Sequence, residues 1–202
     1  MKETKITSAS VDDEELKQLY QTAFPENEQI PWDDLMRLVE EMHLDFTAYY
    51  DDDALIGFTI VCPRQSLNRR NSESNAEQIR ALPSRDGGRP KVNWYWYFAV
   101  REELRGKGLG QKILTQLIEK YKGQSCVLDM ESPEQNPCPN LEQRQRRRAF
   151  YLRNGFHDTH VYRRYDDIEM TIMMMGDAPF TIDDWDEITN ELRQHWNWED
   201  KP

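Results

Sequence analysis

Val100-Arg101-Glu102-Glu103-Leu104-Arg105-Gly106-Lys107-Gly108-Leu109-Gly110-Gln111 is the stretch that decides the fold. Just before it, Trp94-Tyr95-Trp96-Tyr97-Phe98-Ala99-Val100 shows no alternation of apolar and polar residues. That is the pattern of a strand buried on both faces, in the middle of a sheet covered by helices. Just after it, Leu109, Ile113, Leu114, Leu117, Ile118 and Tyr121 recur at helical spacing and predict an amphipathic helix. The stretch is therefore a strand–loop–helix junction with glycines at alternate positions. Glycine lets a backbone turn sharply and lets a ligand approach the main chain. The first N–H groups of a helix lack intrahelical partners, and with the helix dipole they make a site for phosphate. Arg105 and Lys107 add positive charge at the same place.

Strand and helix signals continue on either side. Lys5–Ala9 reads as a short first strand, and Asp12 or Asp13 as the cap of a helix bearing Leu16, Leu19, Tyr20 and Phe24. Pro25 ends it, and a second helix follows Pro31 with Trp32, Leu35, Met36 and Val39 on one face. Phe46–Tyr50 and Leu55–Cys62 form a hairpin turning at Asp51–Asp53. Downstream, Cys126–Met130 is a strand and Leu141–Asn154 a helix stopped by Gly155. Val161–Tyr165 and Glu169–Met175 are the last strands, and Trp185–Trp196 a closing amphipathic helix. This order predicts a mixed α/β sheet with helices on both faces.

Between these elements, Pro63–Pro90 is rich in Asn, Ser, Arg and Gly and nearly free of large apolar residues. It reads as a polar insertion over about 63–91 in a single 1–202 domain, since a long loop inside a compact domain is unusual. Ser74 with Glu77 would cap a short helix through Ala81, and Asp86-Gly87-Gly88 would form a turn.

Composition narrows the function classes. The 202 residues carry a formal net charge of −11, which argues against nucleic acid as a partner, because a phosphate backbone asks for a basic face. Aromatics at 11% supply a core in a chain only 38% hydrophobic. No stretch is long and apolar enough for a bilayer, and Met1–Leu16 lacks the apolar run of a secretory signal. Cys62, Cys126 and Cys138 form no CxxC pair, as expected for reduced thiols in a cytoplasmic protein. The four histidines have no metal-ligand spacing, so no metal is expected.

The type of phosphate follows from the glycine spacing. GxxxxGK[ST] is absent, and a dinucleotide GxGxxG fails because Gln111 stands where the third glycine belongs. Arg105-Gly106-Lys107-Gly108-Leu109-Gly110 instead resembles the R/Q-x-x-G-x-G/A pyrophosphate loop of the GNAT N-acetyltransferase superfamily. Phe150-Tyr151-Leu152-Arg153-Asn154-Gly155-Phe156 is similar to that family's fourth-helix ending, a tyrosine shortly before Gly-Phe. The element order agrees across most of the chain outside the insertion.

The resemblance implies a mostly antiparallel sheet of about six to seven strands, with acetyl-CoA as cosubstrate. It implies backbone bonds from Phe98, Ala99 and Val100 to the pantetheine arm. Main-chain N–H groups of Arg105, Gly106, Lys107, Gly108, Leu109, Gly110 and Gln111 would hold the pyrophosphate. Tyr151 would protonate the leaving thiolate, a reasonable task for a phenol. An amine, on a small molecule or peptide, would attack the thioester directly. Many members carry a base glutamate on the fourth strand, but Trp94–Phe98 has no carboxylate. Glu131 is the first substitute and Asp129 the second. Arg144, Arg147 or Arg148, and Tyr151 share a helix face by their spacing; they read first as a solvated basic face and second as contacts for a CoA phosphate or an acidic substrate group. Three functions stay open: N-acyltransferase, a CoA-binding module with little catalysis, and a nucleotide-dependent oxidoreductase using Asp129 toward a ribose. A homodimer also stays open.

Overall fold

A computed structural model describes residues 1–63, 85–86, 89–90, 92–138, 140–165 and 167–196. The insertion at 63–91 and the helix expected from Ser74 to Ala81 fall almost wholly outside them. Two short strands there, β4 (Arg85–Asp86) and β5 (Arg89–Pro90), pair antiparallel. They bracket the expected turn, whose glycines also lie outside. The chain forms two compact units: Met1–Asn71, Tyr95–Lys122 and Glu191–Pro202, and Ser72–Trp94 with Gly123–Asn190.

In the first unit, β1 (Lys2–Lys5) pairs antiparallel with β2 (Asp45–Asp51), and β2 with β3 (Ala54–Cys62). The hairpin turns where expected, with Asp52 and Asp53 at φ +46° and +68°. The first strand ends earlier than its sequence suggested. Ser8–Ser10 is a 3₁₀ turn, held by the Ser8 amide and hydroxyl, which both donate to Glu40 Oε1. Helix α1 (Glu14–Ala23) is capped by Asp13, whose Oδ1 accepts from the Leu16 amide at 3.0 Å. Helix α2 (Trp32–Glu41) follows Pro31. Their apolar faces meet in an aromatic cluster of Tyr20, Phe24, Trp32, Phe46, Phe58 and Tyr97. Its buried hydroxyls find partners: Tyr20 donates to the Ile30 carbonyl and Tyr97 to the Glu28 carbonyl.

Strand β6 (Val92–Val100) runs through both units, and helix α3 (Leu109–Lys120) follows it. In the second unit β6 pairs in parallel with β7 (Ser125–Glu131), over Val92–Trp94 against Ser125–Val127. Helix α4 (Leu141–Leu152) leads through Gly155, at φ +90°, into β8 (His157–Tyr165). β8 starts four residues before the sequence reading put it. It carries a bulge between Asp158 and Tyr162, which masked the alternation of its first half. Within the bulge His160 has φ +58°, and its amide donates to Asp158 Oδ1. β9 (Ile168–Met175) pairs antiparallel with both β7 and β8, its Met173 and Met174 wholly buried. Helix α5 (Ile182–His195) opens with a reciprocal cap, in which Thr181 donates to Asp184 and the Asp184 amide to the Thr181 hydroxyl. The seven-stranded sheet has the order β1-β2-β3-β6-β7-β9-β8. Mixed and mostly antiparallel, with β6–β7 its parallel pair, it is the sheet the sequence implied.

Candidate active site

In the first unit, β6 ends against β3. The Arg101 amide donates to the Ile56 carbonyl at 3.0 Å. A Cβ on Gly57 would lie 2.3 Å from the Ala99 carbonyl oxygen, so only glycine admits this approach. The Ala99 carbonyl is therefore turned toward β3. By strand alternation the backbone groups of Phe98 and Val100 face the other edge. The expected trio of pantetheine contacts thus divides into two residues that face outward and one that does not. The Val100 carbonyl accepts from Arg105 Nε at 3.2 Å.

The loop from Arg105 to Gly108 is exposed, and Gly106 and Gly108 sit at φ +76° and +78°. A Cβ on either would meet nothing within 4 Å. The space above the loop is open, and the glycines are needed for conformation. Gly108 is the N-cap of α3 and offers no side chain. Lys112 makes the first intrahelical bond, to the Gly108 carbonyl, so the Leu109 and Gly110 amides precede it without helical acceptors. Gly110 approaches Phe98 and Val100, and Leu109 packs with them on Tyr49, Ile56 and Ile113. The helix start is thereby anchored to the strand end.

In the second unit, Tyr151 lies near the end of α4, 9% exposed, with its ring edge-on to Phe150 and Phe156. Among the described residues, none hydrogen-bonds its hydroxyl. Burial pushes the phenol up to about 12; the Arg147 charge pulls it down and the Asp129 charge pushes it further up. Asp129 and Glu131 project from the same face of β7, since they are two residues apart on a strand, yet their surroundings differ. Half-buried Asp129 accepts one hydrogen bond from a side chain, Trp94 Nε1–H at 3.1 Å. Burial raises its carboxyl from 3.8 to about 6, against the lowering effect of that bond.

Glu131 is held by three donors: Arg144 Nη2 at 2.9 Å, Arg147 Nη1 at 3.3 Å and Asn140 Nδ2 at 3.4 Å. Both of its oxygens are thereby occupied by donors from α4 and from the residue before it. Arg144, 3% exposed, also donates to the Ser132 carbonyl and to Gln135 Oε1. Arg148 bridges Glu134 and Asp158. Arg144, Arg147 and Arg148 are therefore ion-paired to carboxylates of other elements, Arg144 buried and the other two about a third exposed, so the reading of a solvated face is corrected for these three. The sequence held no signal for this, because the partners come from other elements. Nearby, Ser132, Glu134, Tyr162, Arg163, Arg164 and Glu169 line a cavity of about 510 Å³.

Cys62, Cys126 and Cys138 are free thiols. Among the described residues no three His, Cys, Asp or Glu side chains could hold a metal ion together. No helix among them is long and apolar enough to cross a membrane.

Residues 13–156 match the acetyltransferase (GNAT) family, and the chain belongs to that family. The oxidoreductase reading is thereby set aside. Among solved structures, one described as histone acetyltransferase HPA2 and related acetyltransferase, from Corynebacterium glutamicum, is similar at 16% identity. Its TM-score is 0.56, over 89% of this chain and 98% of that one. An N-acetyltransferase from Staphylococcus aureus Mu50 is similar at 14% identity and TM-score 0.52, over 87% of this chain and 100% of that one. The GphF GNAT-like decarboxylase, solved in complex with isobutyryl-CoA, is similar at 11% identity and TM-score 0.59, over 87% and 99%. At these identities the likeness is one of fold. No curated protein matches the sequence.

Proposed function

We propose that this single-domain, cytoplasmic protein transfers an acetyl group from acetyl-CoA to a primary amine on a small molecule or peptide. The observation that carries this reading is the open cradle at Gly106 and Gly108 over an uncapped helix start, which fits a pyrophosphate with no side chain in its way. Amides from Arg105 through Gln111 hold the pyrophosphate, and Arg105 and Lys107 lend charge. The outward backbone groups of Phe98 and Val100 bond the pantetheine arm. Acetyl-CoA supplies a thioester, which is open to attack by a neutral amine. The C–N bond forms as the C–S bond breaks. Asp129 takes one proton from the acceptor ammonium, Tyr151 gives its proton to the departing sulfur, and the second proton shed by the nitrogen as it becomes an amide restores the phenol.

Asp129 takes this role in place of Glu131 because its carboxylate, which pairs with no cation among the described residues, titrates near 6. Calorimetry with acetyl-CoA, on the protein and on Gly108→Asp, tests the cradle. The variant remains folded, since strain at a positive φ costs about 1–2 kcal/mol, and loses binding at least tenfold. Unchanged affinity would remove the pyrophosphate assignment. Thiol release with a panel of amines separates a catalyst from a module that only binds CoA.

A further inference from the structure

Helix α5 lies beyond the residues that match the family, yet a chain of contacts links it to Asp129. The Thr181–Asp184 cap fixes its first turn, and Trp185, one residue on, is 1% exposed. The Trp185 indole N–H donates to the Tyr165 hydroxyl at 3.0 Å, which sets the plane of the ring. That ring meets Trp94 edge-to-face, with centroids 5.5 Å apart and planes at 79°. Trp94 stands opposite Val127 in the parallel register and so projects from the same face as Asp129, two residues further along β7. Its indole N–H ends the chain on Asp129 Oδ1.

We propose that Trp185 is a positioning residue: through the Trp94 ring, helix α5 keeps an N–H donor aimed at the Asp129 carboxylate. An indole turns about two side-chain bonds, and a flip of Trp94 would carry its nitrogen away from Oδ1. An edge-to-face neighbour that is itself hydrogen-bonded prevents the flip. The inference rests on Asp129 as the proton acceptor only for its use in catalysis; the geometry stands apart from it.

The groups that set the Asp129 titration come from few elements. Trp94 donates from β6. From α4, Tyr151 interacts with Asp129, and Arg147 acts on the same tyrosine. Glu131 on β7 is neutralised by Arg144 and Arg147, and β9 offers apolar Ile172 in register. On α5, Asp184 is taken by Thr181 and Asp186 by Arg163. A hydrogen bond to the ionised carboxylate favours ionisation, so its loss raises the pKa.

The test is an NMR titration of ¹³C-labelled aspartate side chains, with Asp129 assigned by its absence in Asp129→Asn. Trp94→Phe raises the Asp129 midpoint by about half a pH unit or more, roughly threefold in proton affinity. Trp185→Leu moves it the same way, whereas Trp185→Phe, which keeps an aromatic edge, moves it less. The double variant Trp94→Phe/Trp185→Leu shifts no further than Trp94→Phe alone, because Trp185 acts through Trp94. Tyr165→Phe, at a site 40% exposed, releases the Trp185 ring without emptying the core and gives a smaller upward shift if the larger change fails to fold. A midpoint unchanged in both Trp185→Leu and Tyr165→Phe, or shifts that add in the double variant, would overturn the proposal. The turnover of Asp129→Asn reads separately whether the carboxylate serves catalysis.

Discussion

Arg144 reaches Glu131 across thirteen positions of sequence, its Nη2 2.9 Å from Oε1, with side chains only 4% and 15% exposed. Buried charges are retained only when paired, and removing one partner strands the other. The pair ties α4 to the end of β7, and Arg144 extends the tie to Ser132 and Gln135.

Glu131→Gln therefore acts on stability. Urea denaturation is expected to show a loss of about 3 kcal/mol, the cost of leaving a buried guanidinium uncompensated. The fraction that stays folded keeps its turnover and its pH profile. A large fall in kcat with normal stability would return Glu131 to the role of base.

Asp129→Asn has the opposite signature. The native carboxyl titrates near 6 and the unfolded one near 3.8, so the folded state favours the protonated form. That stabilisation is complete below about pH 4 and is lost as pH rises through 6. It corresponds to at most about 3 kcal/mol. The substituted carboxamide cannot ionise, so the variant is expected to match or exceed the native stability at pH 8. It should lack the native decline in stability between pH 4 and 6, and turnover should fall. Thermal melts across this range check the first point, and thiol release the second.

Tyr151→Phe removes a hydroxyl that no described residue hydrogen-bonds and keeps the ring on Phe150 and Phe156. Melting temperature and acetyl-CoA affinity are expected to hold, while turnover drops by about two to four orders of magnitude. Wild-type turnover would leave water as the acid.

Gly57→Ala tests the strand end that supports the loop. The new Cβ would lie 2.3 Å from a main-chain oxygen, which cannot rotate aside as a side chain could. A loss of about 3 kcal/mol or more is expected, near the upper end of overpacking costs, read from the denaturation midpoint.

The strand–loop–helix junction was legible because its signals are local. Gly106 and Gly108 mark positive φ, and the stripe from Leu109 to Tyr121 marks one helix face. The Asp13 cap and the Asp51–Asp53 turn were legible for the same reason. What escaped was set by partners distant in sequence. Gly57 looks like any strand glycine until the Ala99 carbonyl is brought against it. Arg144, Arg147 and Arg148 look solvated until Glu131, Glu134 and Asp158 meet them. The contrast between Glu131, paired with two arginines, and Asp129, bonded by an indole, was set by burial and pairing that no local pattern shows.

The bulge at His160 bears on how the molecule behaves in a crowd. β8 is an outermost strand, with unpaired backbone groups that could recruit a strand from another molecule. Its ladder is broken between Asp158 and Tyr162, and the His160 amide is already satisfied by Asp158. An incoming strand would keep register for only a few residues on either side. At the opposite border, β1 is four residues long with lysine at both ends, which repels a like copy. Neither border offers a straight template, so sheet-to-sheet growth into fibrils is discouraged at both ends of the fold.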